Sequence, residues 1–250
     1  MLSTTGVSKK ITQTQDGQQI SQDVQLTAQP VARVHSLSVL KQGDGGTVIT
    51  TENVGTLTAD YVRYADIKTS QKTADGKAFD FKTVLGIWGK ADAKDPESGG
   101  AQLFNQTVLG VVPVGNLNAA ARQKLMNQIV KDKVYSVDYA SVARNRVAGR
   151  PQYSYDVTVQ PVAYVGMLKA YAREIGIKEL ESVDPAQYKE TPPLKFNFIV
   201  DVWSGQLQTI NYIDSERSET YSSYGARLQI ETPVAQTTVQ DIQTRLQKLQ

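Results

Sequence analysis

The stretch Leu194 to Trp203, LKFNFIVDVW, does most to limit what this chain can fold into. Leu194, Phe196, Phe198, Val200 and Val202 fall on one side of an extended chain. Lys195, Asn197, Asp201 and Trp203 fall on the other, with Ile199 the exception. Side chains alternate between the two faces of a strand, so the run predicts a β-strand with one buried face. Ser204-Gly205 follows as a two-residue turn, and residues 206–213 resume a strand pattern, which together predict a hairpin. A third run, Glu219 to Thr232, carries Tyr221, Tyr224, Leu228 and Ile230 and is closed by Pro233. These three runs predict an antiparallel meander.

Tyr153 to Gln160 alternates in the same way, with Tyr153, Tyr155, Val157 and Val159 on one side. Further strands are expected over 47–51, 61–68, 81–88, 108–114 and 134–139. Three helices interrupt them. Asn118 caps the first, over 119–133, with an apolar stripe of Leu125, Met126, Ile129 and Val130 and lysines at its end. Pro161 opens the second, where Val165, Leu168, Ala172 and Ile175 recur at helical spacing and Gly176 ends it. Thr238 begins the third, with Val239, Ile242, Leu246 and Leu249 on one face. The predicted class is α+β.

Composition narrows the partners. Lys and Arg number 27 against 25 Asp and Glu, a net charge of +2, and the charges are interspersed. With no basic stripe to release counterions from a phosphate backbone, nucleic acid is not an expected partner. The longest apolar stretch, Val108 to Val114, is broken by Gly110 and Pro113 and falls far short of the roughly 20 residues of a membrane helix. Cysteine is absent, which excludes disulfides, zinc-thiolate sites and a cysteine nucleophile. Residues 1–29 are rich in Thr, Gln and Ser and are expected to be a flexible linker or stalk. Residues 30–250 are expected to form a single domain. A membrane tether through a missing upstream anchor is the expectation for a stalk of this kind.

Several residues invite chemistry and are read otherwise. His35, the one histidine, has no cysteine or GxSxG elbow to accompany it and reads as a strand-face or solvated residue. Asp92, Asp95 and Glu97 lack the spacing of a calcium loop and read as a solvated acidic loop, so no metal is expected. Lys41 to Gly46 lacks the Lys-Ser/Thr pair of a phosphate loop and reads as a hairpin turn. Asp201 shares its face with Lys195 and Asn197 and is expected at the surface or with a cross-strand partner. Asn105-Gln-Thr107 matches a glycosylation triplet. The tyrosines and tryptophans along the strands read as sheet packing, with a concave wall for an apolar or carbohydrate ligand as the sharper alternative.

The C-terminal half has a recognisable order: YSYDVTV, a proline, the helix PVAYVGMLKAYAREIG, then an apolar strand ending in VDVWSGQL. This order and hairpin resemble the LolA/LppX-type lipoprotein carriers. Gly86 to Lys90, Leu109 to Leu117 and Val200 to Leu207 also resemble motifs of extracytoplasmic proteins of small-genome bacteria. The resemblance implies a curved antiparallel sheet, a half-barrel, with covering helices around an apolar cavity. It implies an extracytoplasmic location at the cell surface or envelope and no catalytic motif.

A non-catalytic, membrane-tethered domain that binds a lipid or other hydrophobic ligand is the resulting expectation, without a cofactor. The candidate cavity residues are Tyr153, Tyr155, Val157, Leu194, Phe196, Phe198, Val200 and Val202, with Val165 and Leu168 on the covering helix. An envelope scaffold or host-contact domain, meeting a protein or glycan through its outer surface, is the alternative. A hydrolase would need a carboxylate cluster built from distant positions.

Overall fold

The computed structural model describes residues 1–43, 46–95, 102–147 and 149–249. In chain order the strands are β1 (Gly6–Gln15), β2 (Gln18–Thr27), β3 (Arg33–Lys41), β4 (Val48–Gly55), β5 (Ala59–Lys68), β6 (Gly89–Asp92), β7 (Tyr135–Val147), β8 (Arg150–Val159), β9 (Leu194–Asp201), β10 (Leu207–Tyr212), β11 (Glu216–Ser222) and β12 (Thr237–Thr238). The helices are α1 (Gln102–Val108), α2 (Ala119–Lys131), α3 (Pro161–Glu174) and α4 (Val239–Gln247). The α+β class and the antiparallel strands expected from the sequence are what the structure shows.

The first hairpin corrects the expectation of a flexible stalk over residues 1–29. Asp16 and Gly17 both have positive φ, 51° and 74°, which suits the two central residues of a type I′ turn. The turn sets Gln15 opposite Gln18 and pairs β1 with β2 along their full length. Val7, Val24 and Leu26 alternate onto one face and are buried there. Each contributes about 1.5–3 kcal/mol by leaving water. Residues 1–4 are also held, since Thr4 donates to the Gly115 carbonyl and Gly115 and Leu117 donate to the carbonyls of Met1 and Leu2.

The chain groups into two compact units that do not divide at residue 30: residues 6–107 with 223–250, and residues 1–5 with 108–222. In the first the strand order is β12-β6-β5-β4-β3-β2-β1, antiparallel except for β12 beside β6. Its buried face carries Val24, Leu26 and Val34. Asp60 accepts from the backbone N–H groups of Gln102 and Leu103, so it caps α1 from a neighbouring strand. In the second the order is β11-β10-β9-β8-β7, all antiparallel, together with α2 and α3.

Three expected strands take other forms. Residues 81–88 turn, with Val84 and Leu85 both donating to the Phe81 carbonyl and Gly86 at φ 75°. The third run of the meander pairs only as far as Ser222; beyond it Gly225 donates to Gly6 and the chain leaves the ladder. Residues 108–114 finish α1 and then run without strand pairing. The hairpin loop after β9 is also longer than two residues, because Asp201 N–H pairs with the Gln206 carbonyl around it.

Candidate functional site

Residues directly opposite each other in an antiparallel pair share a face. On β8 and β9 the pairs are Tyr153 with Val200, Tyr155 with Phe198, Val157 with Phe196 and Val159 with Leu194. The register continues onto β10, where Leu207, Ile210 and Tyr212 oppose Val200, Phe198 and Phe196. On the other side, Val137 and Tyr135 of β7 oppose Val157 and Val159. Seven of the sequence-derived candidates therefore lie on β8 and β9, with Val202 just beyond β9 in the loop.

The face is aromatic and its rings touch. Phe196 lies 5.0 Å from Tyr212 edge-on and 6.1 Å from Phe198, which is 6.5 Å from Tyr135. Tyr153 and Tyr155 lie 6.0 Å apart. Such tilted contacts add to the stability given by burial alone. Burial is uneven. Phe196 and Val157 are only 3% and 4% exposed, while Leu194 is 43% exposed. Tyr153, Tyr155, Phe198, Val200 and Val202 are half-buried. On α3 it is Pro161, Met167, Tyr171 and Ala172 that are buried, while Val165 and Leu168 are half-buried.

Tyrosine hydroxyls hold the segment after α1. Tyr164 donates to the Gly110 carbonyl at 2.9 Å, Tyr135 to Val111 at 2.7 Å and Tyr171 to Val114 at 2.6 Å. This explains why residues 108–114 need no strand partner, since side chains satisfy carbonyls that a ladder would otherwise take. Gly115 makes room for it: a Cβ there would sit 2.4 Å from the Tyr171 hydroxyl oxygen. Burial pushes the hydroxyls of Tyr135, Tyr164 and Tyr171 well above the ordinary tyrosine value.

Glu219 stands at one edge of the same face, opposite Ile210, and is 1% exposed. It accepts from Tyr212 at 2.7 Å, Tyr221 at 2.6 Å and Arg217 at 2.7 Å, and the Arg217 guanidinium lies 4.9 Å over the Tyr212 ring. A buried carboxylate is tolerated only with such pairing. The Glu219 charge adds to burial in raising the Tyr212 and Tyr164 hydroxyls. Sequence reasoning missed this group, because its partners alternate along a strand that reads as plain Ser, Glu and Tyr.

Asp201 is buried, contrary to a surface position, and it does have a neighbour-strand partner. It takes Arg150 Nε at 2.9 Å and both the N–H and hydroxyl of Ser204 at 2.8 Å. The Ser204 backbone bond, then those from the Arg150 and Ser204 side chains, hold its carboxyl down to about 2. This network closes the β9–β10 loop. Trp203 stays 70% exposed, with Arg150 stacked 5.5 Å above its ring.

The other singled-out residues scatter. His35 lies on β3, paired with Glu52. Asp92 binds Lys90 and the Lys94 N–H, while Glu97 and part of the 41–46 loop lie outside the described residues. Among the described residues no three His, Asp or Glu side chains gather as metal ligands would. Asn105-Gln-Thr107 lies in α1, where the buried Thr107 donates back to Leu103. Among the described residues no helix is long and apolar enough to cross a membrane.

No family model matches the chain, and no curated protein does. In structure it is similar to LprF from Mycobacterium bovis, with a TM-score of 0.44 and 12% identity over 93% of this chain and 90% of that one. It is likewise similar to the Mycobacterium tuberculosis lipoprotein LppX, with a TM-score of 0.41 and 12% identity over 91% and 90%.

Proposed function

We propose that the β8–β9–β10 face, with α3 beside it, is the wall of a binding site for an acyl chain or another hydrophobic ligand. On this reading the domain is non-catalytic and works outside the cytoplasm, tethered to a membrane. One observation supports the wall above all: Tyr153, Tyr155, Phe198, Val200, Val165 and Leu168 are large, apolar and only half-buried. A filled core removes such side chains from water. An acyl chain laid against them would gain about 0.8 kcal/mol for each methylene it buries. Glu219 and Asp201 take structural roles here, each engaged by hydrogen-bond donors. Location and tether rest on the resemblance to extracytoplasmic carriers.

Mass spectrometry of organic extracts from the purified protein tests the reading. A co-purifying lipid, lost in a folded Phe198→Glu variant, is expected. Retention of the same lipid by that variant would move the site elsewhere. A scaffold that meets a protein or glycan through its outer surface is the second reading, favoured by the exposed Trp203 and Val147. Clean extracts together with loss of partner binding in Trp203→Ala would select it.

A further inference from the structure

The sole histidine of the chain lines a cavity that the apolar wall does not explain. Opposite pairing places Gln25, His35 and Val54 in one row across β2, β3 and β4. Residues 229–233 run past this row, with Arg33 donating to the Ile230 carbonyl at 2.7 Å. Between them lies a cavity of about 300 Å³ lined by Gln25, His35, Glu52, Trp88, Gln229 and Glu231, with Val54, Ile230 and Pro233 as its apolar parts. That volume is at the lower end of small-molecule sites, which join an apolar lining to a few placed polar groups.

The polar groups divide into two sets. Glu52 is fully engaged: one oxygen meets His35 Nε2 at 2.9 Å, and the other takes both Nε and a terminal nitrogen of Arg63. Burial alone would raise the Glu52 carboxyl, but the bonds from His35 and Arg63 outweigh it and hold it below the ordinary glutamate value. Arg63 is spent twice, since its guanidinium also lies 4.9 Å over the Trp88 ring. An ionised carboxylate only accepts, so His35 Nε2 carries a hydrogen and donates to it, which leaves Nδ1 as the ring's second polar atom. Among the described residues, that nitrogen, the amides of Gln25 and Gln229 and the Glu231 carboxylate have no side-chain partner.

The second set decides the ligand class. Two amides both donate and accept, the carboxylate accepts, and an imidazole Nδ1 can serve as either acceptor or donor. A polyhydroxylated ligand matches them, because every hydroxyl is donor and acceptor at once. Trp88 and the aliphatic floor suit the C–H faces of a sugar ring. The lining has no uncommitted cation, and Glu231 adds a negative charge, so an anion is disfavoured. We propose that this cavity is a binding site for a neutral mono- or disaccharide, held by Gln25, His35 Nδ1, Gln229 and Glu231 against Trp88.

The test uses the full chain with Trp203→Phe, so that Trp88 alone reports. Its fluorescence and the heat of mixing are followed as a panel of neutral sugars is added to millimolar concentration: glucose, galactose, mannose, N-acetylglucosamine, maltose and lactose. A saturable change in both readouts with at least one sugar is expected. Gln229→Ala with Glu231→Ala, both at exposed positions, should weaken it by about tenfold or more, the scale of a lost hydrogen bond to a charged group. Silence with every sugar, or an unchanged affinity in the double variant, would overturn the proposal. So would saturation by tetramethylammonium in place of any sugar, which would make this a site for amines.

Discussion

The two units are built from the same kind of ladder and differ in how they finish their apolar faces. In the unit of residues 6–107 and 223–250, Val7, Val24, Leu26 and Val34 are small or medium side chains and all are buried. In the unit of residues 1–5 and 108–222, the face is aromatic: Phe196 and Val157 are buried, while Tyr153, Tyr155, Phe198 and Val200 are only half-buried. Aliphatic alternation produces a closed layer. Aromatic alternation produces a wall in which Phe196 is covered while Tyr153, Tyr155 and Phe198 are only partly so. A filled layer supplies stability, and an incompletely covered wall leaves apolar surface for a partner.

The sharpest way to break this contrast is truncation in both units. Leu26→Ala should cost about 2–5 kcal/mol, as for a filled core. Phe198→Ala should cost clearly less than the ~3–5 kcal/mol of a fully buried phenylalanine. Urea denaturation checks both, and a full phenylalanine cost at Phe198 would show that the wall is packed shut.

Bracing of the wall is tested at Tyr171. Tyr171→Phe removes the donor to Val114 and should cost about 1–3 kcal/mol, because a buried carbonyl loses its partner. The same tyrosines set an alkaline limit. Their folded-state hydroxyls are raised, so the neutral form is favoured by folding. That stabilisation is complete below the ordinary tyrosine value of about 10 and is lost as pH rises through it towards the folded values. Melting temperature against pH in wild type and Tyr171→Phe should show the loss, shallower in the variant.

The first hairpin sharpens the other side of the comparison. Gly17→Ala forces a β-carbon into φ 74° and should cost about 1 kcal/mol without changing the sheet's pairing, which amide exchange of β1 and β2 would report. The smallest effect concerns the β9–β10 loop. Asp201 is depressed to about 2, so its contribution is whole above the unfolded value near 4 and fades as pH falls towards 2. Asp201→Asn should flatten that part of an acid-unfolding curve.

Much of the wall was legible because alternation is a local signal. The faces of β8 and β9 follow from single side chains, and both caps behave as their sequences imply: Asn118 accepts from Ala121 and Thr238 from Asp241. The β1–β2 hairpin was not legible from hydrophobicity, since Lys9, Lys10 and several Gln residues interrupt the pattern. The Asp16-Gly17 pair was the signal available. Residues 108–114 misled because an apolar run was taken for a strand, when its carbonyls are met by Tyr135, Tyr164 and Tyr171 from distant elements. The Glu219 cluster and the His35–Glu52–Arg63 group depend on strand register. Pairing β3 with β4 and β4 with β5 brings together residues 17 and 11 positions apart, which no local pattern announces.

The central claim is that the β8–β9–β10 face takes up a hydrophobic ligand, and titration with an environment-sensitive fluorescent fatty acid tests it most directly. The account predicts saturable enhancement with the wild-type protein. It predicts loss of that enhancement in Phe198→Glu while circular dichroism and melting temperature stay within the range of a folded protein. No saturable enhancement with the wild type, or equal uptake by Phe198→Glu, would contradict it.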